Sequence, residues 1–426
     1  MARLEVSART IEKAAFEAAP VASPSGGSSM KRKALVLAVA GIVGAPMAAH
    51  AQSASVTIYG RLYPEIGYSK TSGATPVGTA VSTLVSAPTG ENLASLYQEN
   101  TSNSRFGLRG QEPLGGGLSA IFQLEQTINF DAGTGVLASR DSFVGLSSDK
   151  FGTVKLGNMD TVYKQLGDSL SFFGVSSGNI VSQSNILSKP GTGTSSSGSF
   201  HLRRANSVVY QSPTMHGFQL LGQYSPDEAK TPTRNAYLVS LGAKYENGPL
   251  YVALAYEDHR DLFGGSRNAK SSLSNFADQN ARSDDTAVRA TVKYEFGMHT
   301  VEADMASIQY KESNGAIGRF REYKHTTYLV GVDSTWSSAI RTAIAYARSQ
   351  AGSCSLVGTA PCNTDGLEGS QVSLGGAYYF SRRTLVFALY TKLWNGKSAR
   401  YSNLQIGDPA AGADIDQFML GIAHNF

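Results

Sequence analysis

The sequence predicts an all-β chain, a transmembrane antiparallel β-barrel of about sixteen strands, a size at which the closed sheet leaves an aqueous lumen. Three observations predict it. Apolar and polar residues alternate with period two from near residue 55 to the end of the sequence, so each strand has one oily and one wet face. Short turns alternate with long Ser/Gly/Asn-rich connections, the asymmetry of a barrel with tight turns at one rim and loops at the other. Beyond residue 51 no apolar run approaches the length of about eighteen residues that a spanning helix needs.

In chain order, the first element is an address. Met30-Lys31-Arg32-Lys33 is basic, Ala34 to Ala45 is apolar, and Ala49-His50-Ala51 supplies small residues around a cleavage point, which together predict a secretory signal over 30–51 and a mature chain starting at Gln52. Residues 1–29 are polar, end in a Pro/Gly/Ser-rich stretch and show no apolar periodicity, and are read as an upstream extension outside the mature protein. Removing 1–51 takes six of the 37 Lys/Arg and three of the 33 Asp/Glu, leaving 31 against 30. Such a balance excludes a basic nucleic-acid-binding protein, and any charge effect must come from where residues point. The 45 Gly, 20 Tyr and 18 Phe beside 16% charged residues favour many tight turns and aromatic strands.

Val288-Arg289-Ala290-Thr291-Val292-Lys293-Tyr294-Glu295-Phe296 is the clearest strand, apolar at every even position. Val301, Ala303 and Met305 alternate with Glu302 and Asp304; Tyr237 to Tyr245 and Phe418 to Phe426 read the same way. A soluble sandwich would also alternate. The connections discriminate: Pro113 to Gly116, Thr214 to His216, Asn247 to Pro249, Gly297-Met298 and Ser381-Arg382 are short, whereas those near 70–94, 160–200, 260–282 and 351–368 are long. Apolar faces repeating without a domain linker call for one continuous oily exterior.

Parity then places side chains. Val56, Ile58 and Leu62 point outward, sending Tyr59, Arg61 and Tyr63 inward; Phe106 and Leu108 outward send Arg105 and Arg109 into the lumen. Arg140 has Asp141 and Phe143 on the opposite parity, and Arg203 shares parity with Ser207 and Gln211. Glu65, Glu125, Glu295 and Glu302 are also on lumen parity. A charge on the lipid face near the midplane costs about 2–4 kcal/mol, which favours the lumen for the arginines. Cys354 and Cys362, with seven residues between them in a Gly/Ser/Pro segment of an exported chain, are expected to form a disulfide closing a small extracellular loop. Gly174-Val175-Ser176-Ser177-Gly178 matches a nucleophile-elbow pattern only formally, with no strand before it or helix after it. The histidines are scattered, none at metal-ligand spacing, so no metal or cofactor is expected.

Four segments are more specific: Ser55 to Gly60 (SVTIYG), Ser104 to Gln126 (SRFGLRGQEPLGGGLSAIFQLEQ), Ser139 to Gly157 (SRDSFVGLSSDKFGTVKLG) and Asn206 to Phe218 (NSVVYQSPTMHGF). With them the chain resembles the general porins of Gram-negative bacteria, especially the betaproteobacterial branch. The resemblance implies a sixteen-stranded homotrimer in outer-membrane lipid and lipopolysaccharide that passes small hydrophilic solutes and has no catalytic site. It implies a third extracellular loop, here roughly Asp160 to Phe200, folded inward to narrow the pore. It also implies a basic constriction wall at Arg61, Arg105, Arg140 and Arg203, which Arg109 joins by parity, and a final Phe426 offered to the outer-membrane assembly machinery. The sequence departs from the family where a Pro-Glu-Phe-Gly-Gly-like turn is usual: Ser171-Phe172-Phe173-Gly174 stands there, without the acidic residue. Asp160 and Asp168 remain as candidates for the opposing wall, or as turn residues. Gly157-Asn158 likewise stands where Gly-Arg often occurs. The expectation is a passive channel with a modest anion preference. The alternatives are a sugar- or organic-anion-specific channel, whose aromatic track would draw on Phe172, Phe173, Tyr59 and Tyr63, and an outer-membrane adhesin or enzyme.

Overall fold

Strands that alternate along their whole length have only two ways to satisfy their edges in lipid, and this chain takes the one that leaves none: the sheet closes on itself. The computed structural model describes residues 55–101, 103–167, 172, 179–193, 196–228, 230–403 and 406–426. The expected signal, the segment before it, Gln52, Asp168, Phe173 and Gly174 lie outside them.

Twenty strand segments form sixteen staves among the described residues, because four staves are each broken once. In chain order they are β1 (Ser55–Leu62, resuming at Glu65–Ser72), β2 (Leu96–Asn100, resuming at Arg105–Gly115), β3 (Leu118–Asn129), β4 (Thr134–Val136, resuming at Ser142–Ser148), β5 (Gly152–Asp160), β6 (Arg203–Gln211), β7 (Phe218–Pro226) and β8 (Tyr237–Asn247). The second half is β9 (Leu250–Arg260), β10 (Arg282–Phe296), β11 (His299–Ser313), β12 (Phe320–Thr335), β13 (Ile340–Ser349, resuming at Ser353–Leu356), β14 (Gly369–Tyr379), β15 (Thr384–Asn395) and β16 (Asp414–Asn425). Each stave pairs antiparallel with the next, and β16 returns to β1 with Arg61 opposite Asn425 and Glu65 opposite Gly421. Gly60 and Phe426 exchange backbone hydrogen bonds of 3.1 Å across that seam.

The two faces sort as the alternation requires. On β10, Val288, Val292, Tyr294 and Phe296 are exposed while Asp285, Ala287, Arg289 and Thr291 are buried, so the oily side faces out and the polar side in. At one rim the links are tight, as at Gly297-Met298, where Gly297 takes φ +56°. The turn from β4 to β5 requires Gly152 at φ +83°, since a Cβ there would lie 2.2 Å from the Gln211 carbonyl oxygen. At the other rim the connections are long. Among the described residues they carry three short α-helices, α1 (Val162–Gly167), α2 (Ser184–Leu187) and α3 (Gly264–Asn268). No helix among the described residues is long and apolar enough to cross a membrane.

Part of the 351–368 segment, read from sequence as loop, is strand. Ser353–Leu356 extends β13 against β12, with Cys354 opposite Tyr323. Its Ser-Cys-Ser-Leu sequence is too short and polar to reveal a period, and Gly352 at φ +75° hides the continuation by interrupting β13. Cys354 and Cys362 are joined by a disulfide with 5.7 Å between Cα atoms, so the bridge ties a strand to the loop after it.

The apolar band of β10 centres on Val292, so an arginine there meets hydrocarbon. Val292→Arg is expected to cost about 2–4 kcal/mol and lower the thermal unfolding midpoint, whereas Thr291→Arg, on the wet face, is expected to spare the lipid contact. Heat-modified gel mobility of the two variants across a temperature series compares them directly.

Candidate functional site

Four irregularities of the ladder fall within the arc from β1 to β6. β1 breaks at Tyr63-Pro64, where proline cannot donate to a ladder. β2 breaks at 101–104, where Ser104 Oγ accepts the Tyr63 N–H at 2.8 Å. β4 breaks at 137–141, with Ala138 at φ +56°, and the β5–β6 register shifts between Gly157 and Met159 opposite Asn206 at φ +56°. Such irregularities bend strands and re-aim side chains. Here they gather one continuous polar band.

The band starts at Arg61, which sits opposite Arg105 in the β1–β2 register and lies 4.7 Å over the Tyr63 ring. Glu125 on β3 is its first carboxylate: it accepts Tyr59 Oη at 2.9 Å and Arg140 Nε at 2.5 Å, with Arg105 Nε at 3.6 Å. Asp141 accepts Arg203 Nε at 2.7 Å, and Asp160 holds the same guanidinium through Nη2 at 2.7 Å and Lys164 Nζ at 3.0 Å. Five cations, Arg61, Arg105, Arg140, Arg203 and Lys164, thus share one band with three carboxylates, Glu125, Asp141 and Asp160, across β1 to β6 and the start of α1. Buried Glu65 on β1 adds a fourth acid on the wet face.

The remaining arc is covered by the described residues of the segment between β5 and β6. Val162 and Tyr163 donate their N–H groups to Gln223 Oε1 at 3.1 Å and Ser240 Oγ at 2.9 Å, and Tyr251 Oη donates to the Leu166 carbonyl at 2.7 Å. Arg289 lies 4.3 Å over the Tyr163 ring and donates to the Tyr163 carbonyl. Further on, Thr327 Oγ1 donates to Leu187 O at 3.0 Å, Gln371 Nε2 to Ser182 O at 3.1 Å and Thr391 Oγ1 to Ile180 O at 3.0 Å. All these partners are on the wet parity of β7–β10, β12, β14 and β15. These described residues therefore lie along the inner face of the far arc while the arginine band occupies the near one. Within residues 161–202 the only acidic residue in the sequence is Asp168. Burial lowers Lys189 in this segment to about 8, and burial, reinforced by neighbouring cations, holds His201 well below the usual histidine range.

Several expectations change against this geometry. Asp160 is not on an opposing wall but inside the basic band, paired with Arg203, because β5 ends beside β6. Asp141 is not turned away from the band: the break at 137–141 suspends the alternation, so Arg140 and Asp141 both reach lumen partners. Arg109 stands further along β2, exposed and 5.0 Å from the Tyr59 ring, with no ion pair to a described residue. Phe172 offers no surface to an aromatic track, being buried with Ile180, Val181 and Leu187, and Tyr63 is fully buried with its ring 4.4 Å from that of Phe387. Sequence reasoning also missed Lys164; its spacing of four from Asp160 at the start of α1 was the available signal.

A family model described as Gram-negative porin matches residues 34–398. An outer membrane porin protein of Bordetella pertussis is 32% identical over 248 residues, covering 53% of this chain; the chain spans 59% of that relative's length. Outer membrane porin protein 32 of Delftia acidovorans is 26% identical over 408 residues, covering 93% of this chain and all of the relative. Among solved structures, an anion-selective porin from Comamonas acidovorans superposes with TM-score 0.66 at 22% identity, over 88% of this chain and 100% of its own. The trimer form of OmpT of Vibrio cholerae gives TM-score 0.56 at 14% identity over 88% of this chain.

Arg203 bridges two carboxylates that would otherwise face each other, with side chains a fifth to a third exposed. A double-mutant cycle of Arg203→Ala and Asp141→Asn is expected to give a coupling of about 1 kcal/mol, moderated by solvent screening. Denaturant unfolding of the four proteins measures it; additive single effects would mean the pair is electrostatically idle.

Proposed function

The chain belongs to the Gram-negative porin family of outer-membrane proteins, and from that membership we propose that it is a passive aqueous channel for small hydrophilic solutes and ions with a modest preference for anions. The observation that carries the reading is the asymmetry of the lumen. A band of five cations and three carboxylates on β1 to β6 faces an inner segment whose sequence has one acidic residue. Guanidinium groups keep their charge at any physiological pH, so the field is permanent. Yet most of it is spent internally, since Glu125, Asp141 and Asp160 each neutralise a neighbour. The net result is an excess of one or two charges acting on passing ions at close range, which biases traffic without excluding cations.

The solute passes between the band and the inner segment, and no covalent step is required of any residue. A homotrimer is the assembly this reading adopts, supported by the trimer form of a fold neighbour, with outer-membrane lipid and lipopolysaccharide around its exposed apolar staves. The mature chain starts at Gln52, from the Ala49-His50-Ala51 site. A sugar-specific channel is disfavoured because Phe172 and Tyr63 are buried rather than lining a track.

Two measurements test these statements. In planar bilayers under a tenfold KCl gradient, the reversal potential is expected to show chloride crossing more readily than potassium, weakening as salt shortens the Debye length to about 3 Å at 1 M. Arg105→Ala and Arg140→Ala should move it toward zero, and Glu125→Gln should move it further toward the chloride limit; a potassium-preferring wild type would sink the anion reading. Separately, the intact mass of protein purified from outer membranes should match residues 52–426, and residues preceding Met30 in that species would rule out the processing scheme.

A further inference from the structure

The 73–95 connection leaves the top of β1 and returns on β2, yet its tip is anchored far from both. At its base it is pinned locally: Ala74 N–H donates to Asn92 Oδ1 at 3.0 Å and Leu93 N–H to Thr71 Oγ1 at 2.7 Å. Farther out, Thr75 Oγ1 donates to Lys397 O at 2.7 Å and Ser82 N–H to Ser398 Oγ at 2.8 Å, both on the β15–β16 connection. Ser82 Oγ and Thr83 N–H then donate to the Asn363 carbonyl at 2.8 and 3.2 Å, and Asn363 N–H returns a bond to Thr83 Oγ1 at 3.0 Å. Asn363 follows Cys362, so the disulfide holds the platform on which the connection docks. Last, Leu84 O accepts the N–H of Lys270 at 2.8 Å, on the connection between β9 and β10.

In a ring of sixteen staves, β9 lies halfway round from β1. Strands about 4.8 Å apart, tilted by about 40°, make such a ring roughly 30 Å across, and the run from Ser72 to Leu84 would reach about 40 Å at full extension, which leaves slack for the turn closed by Thr79 N–H on the Pro76 carbonyl. The tip is also buried. Leu84 is fully enclosed and Val85 nearly so, in a cluster with Leu273, Tyr310, Phe320, Leu356 and Leu367 drawn from five other elements of the chain. A polar Gly/Ser/Thr connection held only by its base would leave these two side chains in water.

We infer that the 73–95 connection is a strap drawn across the external mouth of the barrel, an entry sieve that sets the size limit for solutes separately from the arginine band. The inference rests on the channel reading above. Residues 73–90 contain no charged residue. The strap therefore discriminates by size and leaves ion selectivity to the band, and the two devices are separable by mutation.

The test uses the full-length protein, purified from outer membranes, in planar bilayers and in sugar-swelling liposomes. Replacing Val77 to Thr89 by a short Gly-Ser link preserves the base contacts of Ala74, Asn92 and Leu93. Leu84→Asn removes only the apolar anchor, and covers the case in which the shortened chain fails to assemble. For both, single-channel conductance is expected to rise by up to about twofold, and liposome swelling by a trisaccharide relative to a pentose by about threefold or more, as pore diameter governs both. The reversal potential in a KCl gradient is expected to stay at the wild-type value. Arg105→Ala should do the converse, moving the reversal potential while leaving the sugar ratio in place. An unchanged sugar ratio in assembled Leu84→Asn and strap-shortened channels would overturn the strap, as would a reversal-potential shift matching that of Arg105→Ala. A wild-type protein without conductance would overturn the channel reading itself, which a failed strap would leave standing.

Discussion

Everything in this barrel depends on the seam between β16 and β1. A sheet in hydrocarbon has no water to satisfy an open edge, so one unpaired stave would strand a row of N–H and C=O groups. The register that closes it, Arg61 opposite Asn425 and Glu65 opposite Gly421, fixes the phase of β1 and through it which side chains of each following stave point inward. A slip of one residue at the seam would turn Arg61 and Glu65 to lipid and Val56 and Ile58 to water. Closure and charge placement are thus one constraint.

Within the closed wall, the lumen is furnished unequally. The near arc is a band of ion pairs running from Arg61 to Lys164, and the far arc is clothed by the β5–β6 segment hydrogen-bonded onto Gln223, Ser240, Thr327 and Gln371. The ladder irregularities of the near arc serve the band because a regular strand offers one inward side chain in two. At 137–141 the break places Arg140 and Asp141 side by side, giving Glu125 and Arg203 partners that strict alternation would have denied them. A fixed field of mixed sign in a narrow passage biases ions without trapping them, which suits passive diffusion.

The external rim adds a second layer of organisation. Long loops at the external rim pack here on one another and on the wall through Leu84, Leu273 and Leu367 against Leu356 of β13, and the Cys354–Cys362 bridge ties one of them to that strand. The mouth has an apolar core of its own. Its order comes from the same burial of side chains that orders a soluble domain, with the barrel serving as scaffold.

The sequence by itself determined the barrel, the orientation of its faces and the inward phase of Arg61, Arg105 and Glu125, because a period of two is a local property written in consecutive residues such as 288–296. It also marked the tight turn at Gly297-Met298, where glycine at φ +56° meets a local backbone requirement. Only the tertiary structure decided that Asp141 and Asp160 belong to the arginine band, that Phe172 is buried and that Ser353–Leu356 is a strand. Only it joined Leu84 to Lys270, residues 186 apart in the chain. Each of these depends on a break in the alternation or on a partner brought near by closure of the ring, and neither leaves a periodic signal in the residues that carry it.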